Sequence, residues 1–92
     1  DKNLVGLNND LEKEEKIKIY PNPSSGVINI SHPEFKEDAI LRVFNENGSL
    51  IFSKKVKKKT NNSLFYLNIP KGFYSIELQS KSKTLTNKFI IE

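Results

Sequence analysis

From Ile17 onward, apolar side chains recur at every second position in short runs, and each run is closed by glycine, proline, asparagine or a cluster of charges. Alternation with period two is the signature of a strand with one buried and one wet face. The runs predict seven strands: Ile17–Tyr20, Val27–Ser31, Ala39–Phe44, Leu50–Val56, Leu64–Ile69, Phe73–Gln79 and Thr84–Ile91. Regular short strands with turn signals between them, and no helical period, predict an all-β fold. The expected architecture is a seven-stranded antiparallel β-sandwich of the immunoglobulin-like type.

The turns carry their own chemistry. Asn45-Glu46-Asn47-Gly48 tolerates positive φ and predicts a hairpin. Pro70-Lys71-Gly72 sets proline ahead of glycine, a type II preference. Pro33 ends the second strand, because it offers no amide to a ladder. The most heavily punctuated stretch is Tyr20-Pro21-Asn22-Pro23-Ser24-Ser25-Gly26. Its two prolines hold Tyr20 and Asn22 extended, and Gly26 closes the turn.

The chain has 92 residues, enough for one core. The segment 1–16 has scattered apolar residues without a core pattern and reads as a flexible linker; 17–92 reads as the folded domain. Five acids and three lysines give the linker a charge of −2, while twelve bases and six acids give the rest +6. A basic domain admits nucleic acid, acidic glycan or anionic lipid, but a charge of this size also serves solubility. The sharpest basic feature is Lys54-Lys55-Val56-Lys57-Lys58-Lys59. It reads first as a solvated strand end that discourages edge-to-edge pairing. Aromatic residues fall mainly on apolar faces rather than among the lysines, so no nucleic-acid partner is expected.

Catalysis finds no constellation. There is no cysteine, and the one histidine, His32, precedes a proline in a loop. No nucleophile elbow, phosphate loop or complete calcium loop is present. The expectation is a domain without catalysis, cofactor or metal. No stretch approaches the roughly 20 apolar residues of a membrane helix. The N-terminus lacks a basic segment followed by an apolar one, so an export signal is expected elsewhere.

Three landmarks and a terminal strand carry a resemblance. They are Pro21-Asn22-Pro23 with Gly26, Asn45 with Gly48, Ile69-Pro70 before Gly72-Phe73-Tyr74, and Lys88-Phe89-Ile90-Ile91. In this order and spacing, residues 17–92 resemble the C-terminal sorting domain of the type IX (Por) secretion system of Bacteroidetes. Phe89 stands where that family usually has an aliphatic, and Glu92 where it usually ends on a basic or amide residue. The resemblance implies a tail on exported cargo that passes through the periplasm to the outer-membrane surface or the medium. Its implied partners are the outer-membrane machinery, a shuttle barrel and a sortase-like protease that cuts the linker, together with the upstream cargo.

Recognition candidates on this reading are Pro21, Asn22, Pro23, Gly26, Gly48, Gly72, Tyr74, Lys88, Phe89, Ile90 and Ile91. The last strand is expected at a sheet edge, open to strand addition by a receptor. Lys88 would discourage wrong pairings, and Phe89 and Ile91 would lock the register. Ile90 and Ile91 read equally well as core, whereas Gly72 and Tyr74 read first as structural, a turn glycine and a buried ring. Edge strands also offer a route to a homodimer. The alternative function is a carbohydrate-binding or adhesive module, with Tyr20, Phe44 and Tyr66 as a candidate aromatic face.

Overall fold

In the computed structural model, which describes residues 16–92, seven strands follow the predicted order. They are β1 (Lys18–Tyr20), β2 (Val27–Ser31), β3 (Ala39–Phe44), β4 (Leu50–Val56), β5 (Asn62–Tyr66), β6 (Gly72–Gln79) and β7 (Thr84–Ile91). Two antiparallel sheets form, one ordered β1-β2-β5 and the other β4-β3-β6-β7. The predicted linker lies outside the described residues except for Lys16.

Register explains why the alternation buries one face of each sheet. Ile19 opposes Ile30 and Ile28 opposes Phe65 in the first sheet. Leu41 opposes Leu78, and Val43 opposes Ile76, in the second. Ile28, Ile30, Leu41, Val43, Ile76 and Leu78 are wholly removed from solvent. Burying a side chain of this kind stabilises by about 1.5–3 kcal/mol each, before the entropy of ordering it. Phe52 and Phe65 stack with centroids 5.1 Å apart and close one flank between the sheets.

Three strands differ in their bounds from expectation, β6 only by beginning one residue early, at Gly72. Ile17 is buried but precedes β1, because its carbonyl accepts the Asn87 side-chain amide at 2.7 Å instead of a ladder bond. That contact ties the entry to β1 across to β7, a strand of the opposite sheet. The fifth strand begins at Asn62 rather than Leu64 and ends at Tyr66 rather than Ile69. Its partner β2 starts at Val27, opposite Tyr66, so nothing remains to pair beyond that point. Leu67 instead donates its amide to the Gly26 carbonyl at 2.8 Å, and both Leu67 and Ile69 still pack on the core.

The loop after β2 is not a plain surface excursion. His32 and Phe35 are both buried, with rings stacked 6.0 Å apart. His32 Nδ1 donates to the Pro33 carbonyl at 2.9 Å. Phe35 lay outside the predicted core because its neighbours are charged and no period marks it.

Candidate functional site

The sandwich has two poles, and the sequence landmarks meet at one of them. β2 begins there, β3 and β5 end there, β6 begins there and β7 ends there. The turn 21–26, the hairpin 45–49, the turn 70–72 and the end of β7 are therefore neighbours. A hollow of about 170 Å³ lies between Asn45–Asn47 and Lys71–Tyr74. A second, of about 250 Å³, is lined by Asn22, Phe73, Lys88 and Ile90.

The turn 21–26 is built as a cap on β7. β7 is an outer strand of its sheet, as expected. Asn22 Oδ1 accepts the Ile90 amide at 3.0 Å. The Ser24 amide donates to the Ile90 carbonyl at 2.9 Å, and Glu92 donates its amide to the Ser24 carbonyl at 2.8 Å. Ser24 and Ile91 thus form a short parallel bridge. Ser24 is buried, and its hydroxyl organises the turn: it donates to the Val27 carbonyl at 2.7 Å and accepts the Gly26 amide at 3.0 Å. The Tyr20–Pro21 and Asn22–Pro23 peptide bonds are both cis.

Outward groups along an edge strand alternate with inward ones. Because Ile90 and Glu92 point outward, the remaining outward residues of β7 are Thr84, Thr86 and Lys88. The Lys88 amide donates to Asn87 Oδ1 at 2.8 Å. The Lys88 amide is thus engaged by its neighbour, the open part of the edge is Thr84–Thr86, and the last residues of the strand are already paired.

Hairpin geometry follows its asparagine. Asn45 Oδ1 accepts the amides of Asn47 and Ser49 at 2.9 and 3.0 Å, and Gly48 donates to the Asn45 carbonyl at 2.9 Å. Gly48 has φ +83°, in the region glycine enters without cost from a Cβ. In the neighbouring turn, the buried Tyr74 donates its hydroxyl to the Pro70 carbonyl at 2.6 Å and stacks on Phe89 at 5.7 Å.

Residues 18–92 match the family model described as the secretion system C-terminal sorting domain. The chain belongs to that family. It is a type IX secretion C-terminal sorting domain, and the match spans every strand. A DUF3244-family protein of Bacteroides vulgatus, with an immunoglobulin-like β-sandwich fold, superposes on the sorting domain with a TM-score of 0.64. It is 14% identical, and the match covers 87% of this chain and 98% of that one. At that identity the likeness establishes the immunoglobulin-like fold alone. No curated protein matches the chain.

Within the sorting domain the recognition candidates divide by exposure. Gly26, Tyr74, Phe89 and Ile91 are buried, while Gly72 and Ile90 are half-buried. Pro21, Asn22, Pro23, Gly48 and Lys88 face solvent. Two residues of the pole, Ser24 and Phe73, were not among the recognition candidates, and neither was Asn87, midway along β7. Phe73 is 60% exposed between the two hollows. Its parity relative to Tyr74 was the available signal, since neighbours on a strand face opposite ways.

The three rings of the alternative reading do not share a face. Tyr20 and Tyr66 are exposed on the outer side of the three-stranded sheet, opposite the inward Ile19 and Phe65. Phe44 is half-buried and lies on the outer side of the other sheet, opposite the inward Val43. Among the described residues no group of three His, Cys, Asp or Glu side chains gathers to hold a metal, and no helix is long and apolar enough to cross a membrane.

Proposed function

We propose that this sorting domain acts as a non-catalytic address read at the landmark pole by the outer-membrane machinery of type IX secretion. The observation carrying this reading is that landmarks scattered from Pro21 to Ile91 are brought together around Phe73, Lys88 and Asn22. A receptor contacts the exposed Asn22, Phe73 and Lys88, while Gly26, Tyr74, Phe89 and Ile91 hold those side chains in place. Strand addition by the receptor runs along Thr84–Thr86, where the edge groups are open.

The attached cargo then crosses the outer membrane to the surface or the medium. A shuttle barrel is the proposed receptor, and a sortase-like protease is the proposed processing partner. Residues 1–16 are the proposed linker and cleavage region, on the strength of a composition without a core pattern.

The test is a secretion assay in a bacterium with a working type IX system. A signal peptide and a fluorescent protein are fused ahead of residues 1–92. Reporter at the surface or in the medium, lost when the transporter is disabled, is the expected result. Reporter retained in the periplasm with the domain folded overturns the reading.

A further inference from the structure

The opposite pole is chemically different. It gathers the start of β1, the loop 32–38, the turn 57–61 and the loop 80–83. Lys57, Lys58 and Lys59 stand on the turn, and Lys36, Lys81 and Lys83 on the adjoining loops. With the lysines at the start of β1 and the end of β4, ten lysines face three acids, Glu34, Glu37 and Asp38. At the landmark pole Lys71 and Lys88 are balanced by Glu46 and Glu92. Arg42 pairs with Glu77 at 3.0 Å between the poles. The whole net charge of the described residues therefore sits at one end.

The lysine turn is held, not merely exposed. Asp38 Oδ1 accepts the Lys58 amide at 2.9 Å, and the Phe35 carbonyl accepts the Lys59 amide at 3.0 Å. Thr60 Oγ1 donates to the Lys57 carbonyl at 2.7 Å. Lys59 has φ +67°, a conformation that glycine or asparagine adopts more readily. Three consecutive ammonium groups are thus presented on a fixed backbone.

We propose that this lysine pole docks the domain on an anionic membrane surface. Charge complementarity selects the class of partner, and three further features select the lipid surface within it. The lysines are spread over separate loops, and the hollow between two of those loops is also lined by Glu34 and Glu37, which repels a single bound anion. The exposed rings Tyr20, Tyr66 and Phe73 belong to the other pole, so no bases can stack among the lysines. The chain's single arginine is engaged elsewhere. Lysines are hydrated point charges suited to a diffuse field, whereas recognition of a particular carboxylate or phosphate favours the planar guanidinium. Lys16 and Ile17, which lead into β1, lie at this same pole, so docking sets the start of β1 beside the membrane.

The experiment is co-sedimentation of the 92-residue chain with phosphatidylcholine vesicles, with and without 30% phosphatidylglycerol. A Lys57→Gln/Lys58→Gln/Lys59→Gln variant is compared with a Lys71→Gln/Lys88→Gln variant, both checked by circular dichroism. Each lysine near an anionic surface contributes enough that losing three lowers affinity by about a hundredfold. The expected result is binding to the anionic vesicles alone, weakened by salt, strongly reduced in the turn variant and changed only a few-fold in the other. Absence of binding at low salt overturns the proposal. So does an equal loss in both variants, which would reflect net charge rather than a face. Tighter binding to duplex DNA than to vesicles at the same salt, or release by millimolar inorganic phosphate, would assign the pole to another ligand. Sedimentation does not depend on secretion, so the two readings fail separately.

Discussion

The side-chain carbonyl of Asn22 accepts the backbone amide of Ile90 at 3.0 Å, joining residues 68 positions apart. A turn near the beginning of the domain thereby closes the exposed edge of its last strand. Replacing Asn22 with alanine removes the acceptor and leaves that amide to solvent. A loss of about 1 kcal/mol is expected, with hydrogen exchange at Ile90 accelerated more than at Leu78. Unchanged protection at Ile90 would mean the contact does not hold the strand.

The two turn glycines separate conformational cost from steric cost. Gly26 has φ +130°, and an added Cβ would lie 2.9 Å from the Tyr66 ring and 3.0 Å from the Leu67 carbonyl oxygen. Gly48 has φ +83° with nothing within 4 Å of such a Cβ. Gly48→Ala is expected to cost about 1–2 kcal/mol, the price of a left-handed residue alone. Gly26→Ala adds a collision with a backbone oxygen and should cost more. Urea denaturation of both variants tests the order; equal losses would show that the Gly26 site relaxes.

Tyr74→Phe keeps the buried ring and its stack on Phe89 while deleting the bond to the Pro70 carbonyl. The expected loss is about 1 kcal/mol. Secretion of the folded variant should match that of the parent. A large secretion defect without a stability change would give the hydroxyl a role beyond the fold.

Phe73 makes the opposite prediction. At 60% exposure its replacement by serine should alter stability by at most about 0.5 kcal/mol. If the landmark pole is the surface read by the machinery, secretion should fall severalfold all the same. Wild-type export of a folded Phe73→Ser domain would remove this ring from the recognition surface.

Asp38 offers a pH handle. The Lys58 amide, and after it the Lys55 ammonium at 3.4 Å, hold its carboxyl below the usual aspartate value. A group whose folded value is depressed contributes stability that is complete above the unfolded value and disappears as pH falls through the folded one. The contribution should therefore be intact at neutral pH, begin to fall only near the ordinary aspartate value of about 4, and be lost as pH drops through the lower folded value. Carbon-detected titration of Asp38 should show a lowered midpoint that rises partway in Lys55→Gln. A midpoint at the ordinary value would mean that the Lys58 contact is not kept in solution.

Strand number, order and inward faces were legible because they are local. Ile76 and Leu78 alternate with Glu77 and Gln79 whatever the rest of the chain does, and Asn45 and Gly48 specify a hairpin within four residues. The landmark residues were also legible, through their spacing. What only the tertiary structure decided was who meets whom. Asn22 with Ile90 and Asn87 with Ile17 are contacts between segments far apart, set by how two sheets pack and which strand ends share a pole. The end of β5 depended on the length of its partner rather than on its own pattern, since a ladder stops where the neighbouring strand stops. The separation of charge between the poles arises the same way: composition shows a basic chain, but antiparallel reversal at each turn gathers the lysines at one end.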